Sequence, residues 1–448
     1  MNIKKVNKKL NKIFDKLFLI PRSITGSGYR KSLNILSKYI PFKKLNYPSG
    51  KKIFDWTVPK EWVIKEAYIE EIKSKKRGQK EHDKIKIIDF KKNYLHVVNY
   101  SRSINRIMSL KKLNQHLYSI KKFPKVIPYV TSYYKKNFGF CMSYSQKKKL
   151  KNCNYKVFIN SKFIDGSLVN GFTKLKGRTK KIILISSYLC HPNLANNELS
   201  GPLVMIGLYE RIKKWKNRQY NYHFLINPET IGSICHLSTY KEDLKKNLDS
   251  GLVLTCLGGY KNKLSYKKSR IGNSGLDRLF SYLNKNKKVF LREFDPTGGS
   301  DERQYCSSEL NLPVGQIART VYGQYNQYHT SADNKKFMKI TQCVKSIKEI
   351  EKILKLYDSL IPIKRFMPNC EIQLGKRNLY PNINSYDSRK KSSDNMIDDR
   401  EQLKIMQYIL SYADGKNNIV DLANISGFDL FKISKVLNTC IKEKLIKC

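Results

Sequence analysis

Ile182-Ile183-Leu184-Ile185-Ser186, with Cys190-His191-Pro192-Asn193-Leu194-Ala195-Asn196-Asn197-Glu198-Leu199-Ser200-Gly201-Pro202 close behind it, decides how this 448-residue chain is read. The first run is apolar without alternation, the signature of a strand covered on both faces. Residues 200–214 then carry apolar side chains at helical spacing (Leu203, Val204, Ile206, Leu208, Ile212). The strand signal returns at 223–226 and 252–254, with helical stretches between and after. This alternation predicts an α/β domain with a mainly parallel sheet and helices on both faces. Such sheets place ligands beyond the carboxyl ends of their strands, so the segments just after these strands are the ones to search for chemistry.

Outward from that core the texture changes. Towards the N-terminus, Ile3, Val6, Leu10, Ile13, Phe14 and Leu17 follow helical spacing, and Pro21 to Gly28 reads as a turn and cap before a second helix over 29–39. That glycine-containing turn lacks the Lys-Ser/Thr of a phosphate-binding loop. From Phe54-Asp55-Trp56-Thr57-Val58-Pro59 to about residue 160, the segments 84–90, 94–98 and 138–143 read as half-buried strands, interrupted by helical patches at 110–118 and in the lysine-rich 70s. Residues 366–400 form a connector. Beyond it, 400–412, 420–426 and 430–442 read as three short helices punctuated by Gly415 and Gly427, resembling a winged-helix or helix-turn-helix unit. The expected domains are an α/β domain of residues 1–55 and 160–365, a mainly β insert of 56–159, and a winged-helix domain of 371–448.

The chain has 87 Lys+Arg against 36 Asp+Glu, a net charge of +51. The excess is nearly all lysine, scattered, and accompanied by abundant Asn and Ile, as an A/T-rich coding sequence would give. It is read as compositional. Residues 371–448 hold 13 basic and 10 acidic residues, a net of +3. A DNA-binding module would concentrate positive charge, so nucleic acid is disfavoured as a partner. An interaction or homo-oligomerisation role fits that unit at least as well. No apolar run approaches the roughly 20 residues of a spanning helix, which excludes membrane insertion. The basic N-terminus lacks a continuous apolar region and a cleavage site. Ten cysteines without a CxxC pair or a regular framework suit a reducing cytoplasm.

Three spots carry the candidate chemistry. The first is Cys190 to Pro202; the second is Asn227-Pro228-Glu229-Thr230-Ile231-Gly232-Ser233, directly after the next strand. The third combines Gly299-Ser300-Asp301-Glu302-Arg303 with Tyr328-His329-Thr330-Ser331-Ala332-Asp333. Singly, each has a plainer reading: a hydrogen-bonded structural histidine, a first-turn carboxylate at Glu198 with Asn196 or Asn197 as N-cap, surface ion pairs at Glu229 and Asp301. Jointly, they place two histidines and several carboxylates on loops at one sheet edge. A catalytic zinc takes about three such ligands plus an open position, and a further carboxylate serves as general base.

The order His191…Asn196-Asn197-Glu198-Leu199-Ser200-Gly201…Pro228-Glu229-Thr230…Ser300-Asp301…His329-Thr330-Ser331 resembles the zinc aminopeptidase clan. Its members run His, an Asp-Asn-Ala-Ser-Gly-like segment, a Glu-Glu pair, an Asp and a final His-Thr. The whole chain is similar to a bacterial family of aminopeptidase-like domains of unknown function. The stretches that carry this likeness include Pro21 to Gly26, Phe54 to Pro59, Ile127-Pro128-Tyr129-Val130-Thr131-Ser132-Tyr133-Tyr134, Ser300 to Cys306 and Gln373-Leu374-Gly375-Lys376-Arg377. The resemblance implies a zinc-exopeptidase-like fold with an inserted domain and a C-terminal winged helix. It also implies metal ligands at His191, Asn197 and His329, a general base at Glu229 with Glu198 as rival, and substrate contacts at Asp301, Glu302 and Tyr328.

The departures from the clan's pattern are informative. Asn197 stands where the clan has a metal-bridging Asp, the Glu-Glu pair has shrunk to Glu229, and Cys256 aligns with another Asp ligand. One zinc ion is therefore expected rather than two. The expected activity is cytoplasmic hydrolysis of an amide bond in a short peptide or an amide-bearing sugar. The sugar is favoured because relatives often lie among surface-polysaccharide genes. The rival expectation is a catalytically degenerate scaffold whose winged helix mediates interaction.

Overall fold

A computed structural model describes residues 2–72, 86–380, 397 and 399–447. Contacts divide the chain into Met1–Gly272 with Arg292–Glu351, and Asn273–Leu291 with Lys352–Cys448. In the first unit, Ile182–Tyr188 is buried at every residue, as its unbroken apolar run requires. It lies between Asn221–Asn227 and Leu248–Leu254, and Val314–Ala318 follows; all three pairings are parallel. Ser167–Leu175 and then Lys43–Pro48 continue the sheet on one side and Ser265–Lys267 on the other, all antiparallel. The α/β class read from the sequence holds, with a mixed sheet whose centre is parallel.

Helix Ser200–Ile212 returns from the end of Ile182–Tyr188 to the start of Asn221–Asn227. It approaches the sheet so closely at Gly201 that a Cβ would overlap Ser187 Oγ and the Leu254 carbonyl. This close approach pins residues 190–199 over the carboxyl ends of two parallel strands.

The segment between Pro59 and Leu168 builds an antiparallel sheet in the order Lys86–Asp89, Glu61–Glu71, Asn154–Ile164, Ile104–Ser109. Its buried face includes Trp62, Ile69, Ile88, Val157 and Ile159. Strand Asn154–Ile164 runs through residue 159, so the sheet continues past that point. Two local readings give way. Residues 94–98 are not a strand, because the Asn93 side chain accepts from Leu95 N at 2.9 Å and closes the turn Tyr94–His96. The helix over 110–118 stops at Asn114, and Leu117–Tyr118 pairs in parallel with Phe140–Cys141. The helical patch expected in the 70s falls largely in 73–85, outside the described residues, as do 381–396 of the connector.

The second unit contains helices Gly275–Lys285, Asp399–Tyr412, Ile419–Ser426 and Leu430–Lys442, with a strand pair of Lys364–Arg365 and Ile446–Lys447. Asn418 and Asp421 form a reciprocal cap at the start of Ile419–Ser426, and Gly427 ends that helix at a φ of +75°. Ile405, Ile409, Leu422, Ile433 and Val436 fill its core. Among the described residues, no helix is long and apolar enough to cross a membrane.

Candidate functional site

Strand Ile182–Tyr188 delivers His191 to a buried position. Its Nδ1 lies 2.6 Å from Glu198 Oε2, seven residues on, and its Nε2 lies 3.4 Å from Glu229 Oε2. An ionised carboxylate only accepts, so Nδ1 carries the proton towards Glu198 and Nε2 is the atom turned to Glu229. Arg22 stands behind them: its Nε donates to the His191 carbonyl at 3.1 Å and lies 3.7 Å from Glu198 Oε1. Burial works against the His191 imidazolium, and the Glu198 carboxylate at Nδ1 works for it.

Glu229 follows the next parallel strand on a strained turn. Thr230 has φ +65° and ψ −76°, and Ile231 N donates to the Glu229 carbonyl at 2.8 Å, which defines a γ-turn of the rare positive-φ kind. A β-branched residue holds that conformation only when its surroundings enforce it. Buried Asp301 does so: it accepts from Thr230 N at 2.6 Å, Asn227 Nδ2 at 2.8 Å and Ser233 Oγ at 3.3 Å. Ser300 Oγ donates to Glu229 Oε1 at 2.6 Å, leaving Oε2 for the His191 side. Burial raises the Glu229 pKa, opposed by His191 and Ser300. Burial and the nearby Glu229 push Asp301 up to about 7.

His329, at φ +51°, brings its ring to 5.4 Å from that of His191, centroid to centroid. The 127–131 segment holds it there. Tyr129 N donates to the His329 carbonyl at 2.8 Å, Ser331 N donates to Ile127 O at 2.9 Å, and the Tyr129 ring sits 4.8 Å from His191 and 5.3 Å from His329. Tyr328 stacks on His329 at 3.9 Å. Burial and the His191 charge push His329 down to about 3, which keeps its imidazole neutral.

A cavity of about 330 Å³ opens over these groups. Thr131, Cys190, His191, Glu229, Thr230 and His329 supply its polar lining, and Ile24, Trp56, Tyr129, Tyr133, Tyr134 and Ile231 its aromatic and aliphatic walls. Asp301, Glu302 and Tyr328 are not among its lining residues. Glu302 is committed to Lys267 Nζ at 3.2 Å, Gln316 Nε2 at 3.2 Å and Ser300 N. Asn197 is buried; its Nδ2 donates to Tyr188 OH at 2.9 Å, and its Oδ1 has no hydrogen-bond partner. Arg22, Ser300 and Tyr129 were not singled out individually by the sequence reading. Only their positions beside recognised motifs hinted at them, because each acts through a contact distant in the chain. The same is true of Asp333, which caps Asn196 N at 2.7 Å and Asn197 N at 2.9 Å.

Among the described residues, one grouping brings three donor atoms within reach of a single ion. Cys190, His191 and Glu198 keep their ligand atoms within 4.8 Å of one another, on the Nδ1 side of His191. Burial pushes the Cys190 thiol up to about 11, so it stays protonated near neutrality, and the Arg22 cation already neutralises Glu198. The Nε2 side is looser, with the His191 and His329 ring centroids 5.4 Å apart. It offers two imidazoles and a carboxylate, the donor class of mononuclear zinc hydrolases, and it opens to the cavity.

Residues 11–359 match the family model described as "Domain of unknown function (DUF4910)", and residues 362–448 match that of a winged helix-turn-helix. The chain belongs to the DUF4910 family. It is 38% identical over 97% of its length, and 95% of the relative's, to a Clostridium acetobutylicum protein named for polysaccharide biosynthesis and an aminopeptidase-like domain. A crystal structure from Clostridium acetobutylicum, described as that of a peptidase, superposes with a TM-score of 0.80 at 35% identity, covering 99% of this chain and 98% of that one. A zinc aminopeptidase from Bacillus subtilis gives a TM-score of 0.55 at 11% identity over 79% of this chain and 94% of its own, which shows a shared fold. This DUF4910 chain thus has an aminopeptidase-like fold followed by a winged helix.

Proposed function

We propose that this protein is a hydrolase of amide bonds that works with one zinc ion. The observation that carries the proposal is His191, clamped at Nδ1 by Glu198 and facing Glu229 through Nε2 on the floor of an open cavity. His191 and His329 would hold the ion, with the unpartnered carbonyl oxygen of Asn197 as the third donor. Zinc, when bound, polarises an amide carbonyl and makes water acidic enough to attack near neutral pH. Glu198 fixes the His191 tautomer, as carboxylates behind ligating histidines do. Glu229 takes the proton of the attacking water, and Ser300 aims it by holding Oε1. Asp301 acts as a positioning residue that locks the turn after Glu229.

The aromatic walls suit a flat or apolar group beside the scissile amide, as found in an amide-bearing sugar or a short peptide. The relative's name favours a role in polysaccharide metabolism. The nine described cysteines are free, which fits the cytoplasm. A second reading, a binding protein whose winged helix mediates assembly, is favoured by the neutral contacts of Asn197 and Cys256. Elemental analysis of the purified chain separates the two. About one zinc per chain, lost in His191→Ala, together with turnover on a panel of aminoacyl and N-acyl-sugar amides, is expected for the hydrolase. Metal-free protein without turnover after zinc addition leaves the binding protein.

A further inference from the structure

A second cavity, of about 860 Å³, lies wholly within the insert, at the edge strand Ile104–Ser109. Three cations line it, Arg102, Arg106 and Lys112, and no carboxylate does. None of the three has an ion-pair partner among the described residues. Three of the insert's described acids pair elsewhere: Glu61 with Arg30, Glu66 with Lys86 at 3.2 Å and Glu71 with Lys151 at 3.0 Å. The cavity is therefore a concentrated, uncompensated positive site, unlike the scattered lysine surface of the chain as a whole. Arg106 is exposed although it stands opposite buried Val157, on the face of the sheet that elsewhere packs inward. A single edge cation guards against strand pairing. Two further cations around a concave surface go beyond that need.

The remaining lining chemistry narrows the ligand. Buried Phe138 backs the cavity, with the His116 ring stacked on it at 3.9 Å and Arg102 over the ring at 5.9 Å. Asn105, Gln115 and Asn160 add exposed amides, which donate and accept at once and so read hydroxyl groups. Guanidinium groups bind carboxylates or phosphates bidentately. We propose that the insert carries a separate binding site for an acidic saccharide, a sugar bearing a carboxylate or a phosphate. It holds such a glycan by charge at Arg102, Arg106 and Lys112 and by its hydroxyls at the amides.

This site does not depend on hydrolysis, so its test is direct binding to the full chain, by calorimetry at about 0.15 M salt, where exposed charges are screened within about 8 Å. The probes are trigalacturonate, glucose 1-phosphate, a neutral cellotriose and a short oligo-dT. The double variant Arg106→Gln/Lys112→Gln is compared with Lys121→Gln/Lys122→Gln, which removes the same charge from exposed positions that do not line the cavity. The expected result is that one or both acidic sugars bind, cellotriose does not, and the cavity variant weakens binding by about tenfold or more while the control changes it little. Which acidic sugar binds tells the carboxylate from the phosphate source. Equal weakening in both variants would reduce the effect to net charge and overturn the proposal. So would failure of both acidic sugars, or an oligo-dT complex that is tighter and depends on the same two cations.

Discussion

His191 and Asn197 sit six residues apart in one buried segment, yet their surroundings differ in kind. Around His191 the groups are ionic: Glu198 on one ring nitrogen, Glu229 facing the other, Arg22 behind. Around the Asn197 side chain they are neutral, while Asp333 caps its backbone N–H at 2.9 Å. Its amide donates to Tyr188 OH, which meets Thr255 Oγ1 at 2.5 Å, and lies 3.9 Å from Cys256 Sγ, itself 3.6 Å from Tyr325 OH. Burial pushes the Cys256 thiol up to about 11, so it contributes no thiolate near pH 7. At equal burial, Asn197 can lend one neutral oxygen, while the charged donors gather at His191. That contrast is the physical argument for the single ion proposed above.

The strongest test of the contrast acts on the ionic side. Glu229→Gln keeps shape and hydrogen bonding but cannot accept a proton. Turnover should fall by about 10²–10⁴-fold with zinc content retained, measured by steady-state kinetics beside elemental analysis. Unchanged turnover would remove Glu229 from the role of base. The neutral side is tested by Asn197→Asp, which buries a carboxylate with no cation beside it. The metal-free variant should lose about 3 kcal/mol in denaturant unfolding, recovered on adding zinc as a second equivalent binds. Destabilisation that zinc does not relieve would show that the pocket lacks more than one charge. A smaller effect is expected at Glu198→Gln, which loosens the tautomer of His191 without removing a ligand. Zinc affinity should weaken by about 10–100-fold in competition with a chelator.

How much of this was legible in the sequence depends on the range of each interaction. The unbroken apolar run ahead of Cys190 announced a doubly covered strand, and with it a sheet edge where 190–202 and 227–233 meet. Element boundaries blurred where a single side chain decided them, as at Asn93, whose cap turned an expected strand into one helical turn. Asp301 was read as a substrate anchor because an acid in a Ser-Asp motif carries no mark of its burial. In the fold both its oxygens are taken by Asn227, Thr230 and Ser233, more than 65 residues away. Arg22 was legible only as part of a turn, since its partners His191 and Glu198 come from the far side of the insert.

The smallest effect, and the one that separates stability from function on the ionic side, is expected at Thr230→Gly. At φ +65° and ψ −76° a threonine is strained by about 1–3 kcal/mol, and glycine adopts that region freely. Against this, glycine gives the unfolded chain more freedom, at a cost of roughly 0.5–1 kcal/mol. The balance predicts a variant about 1 kcal/mol more stable by urea unfolding. Turnover should nevertheless fall, because the rigid turn is what carries Glu229 to Ser300 and to the Nε2 face of His191. The bond from residue 230 N to Asp301 survives the substitution, so the loss isolates the rigidity of the turn from the hydrogen bond that anchors it. A variant that is both less stable and fully active would mean that the Thr230 side chain serves packing alone, and that Glu229 is positioned by Ser300 without help from the turn.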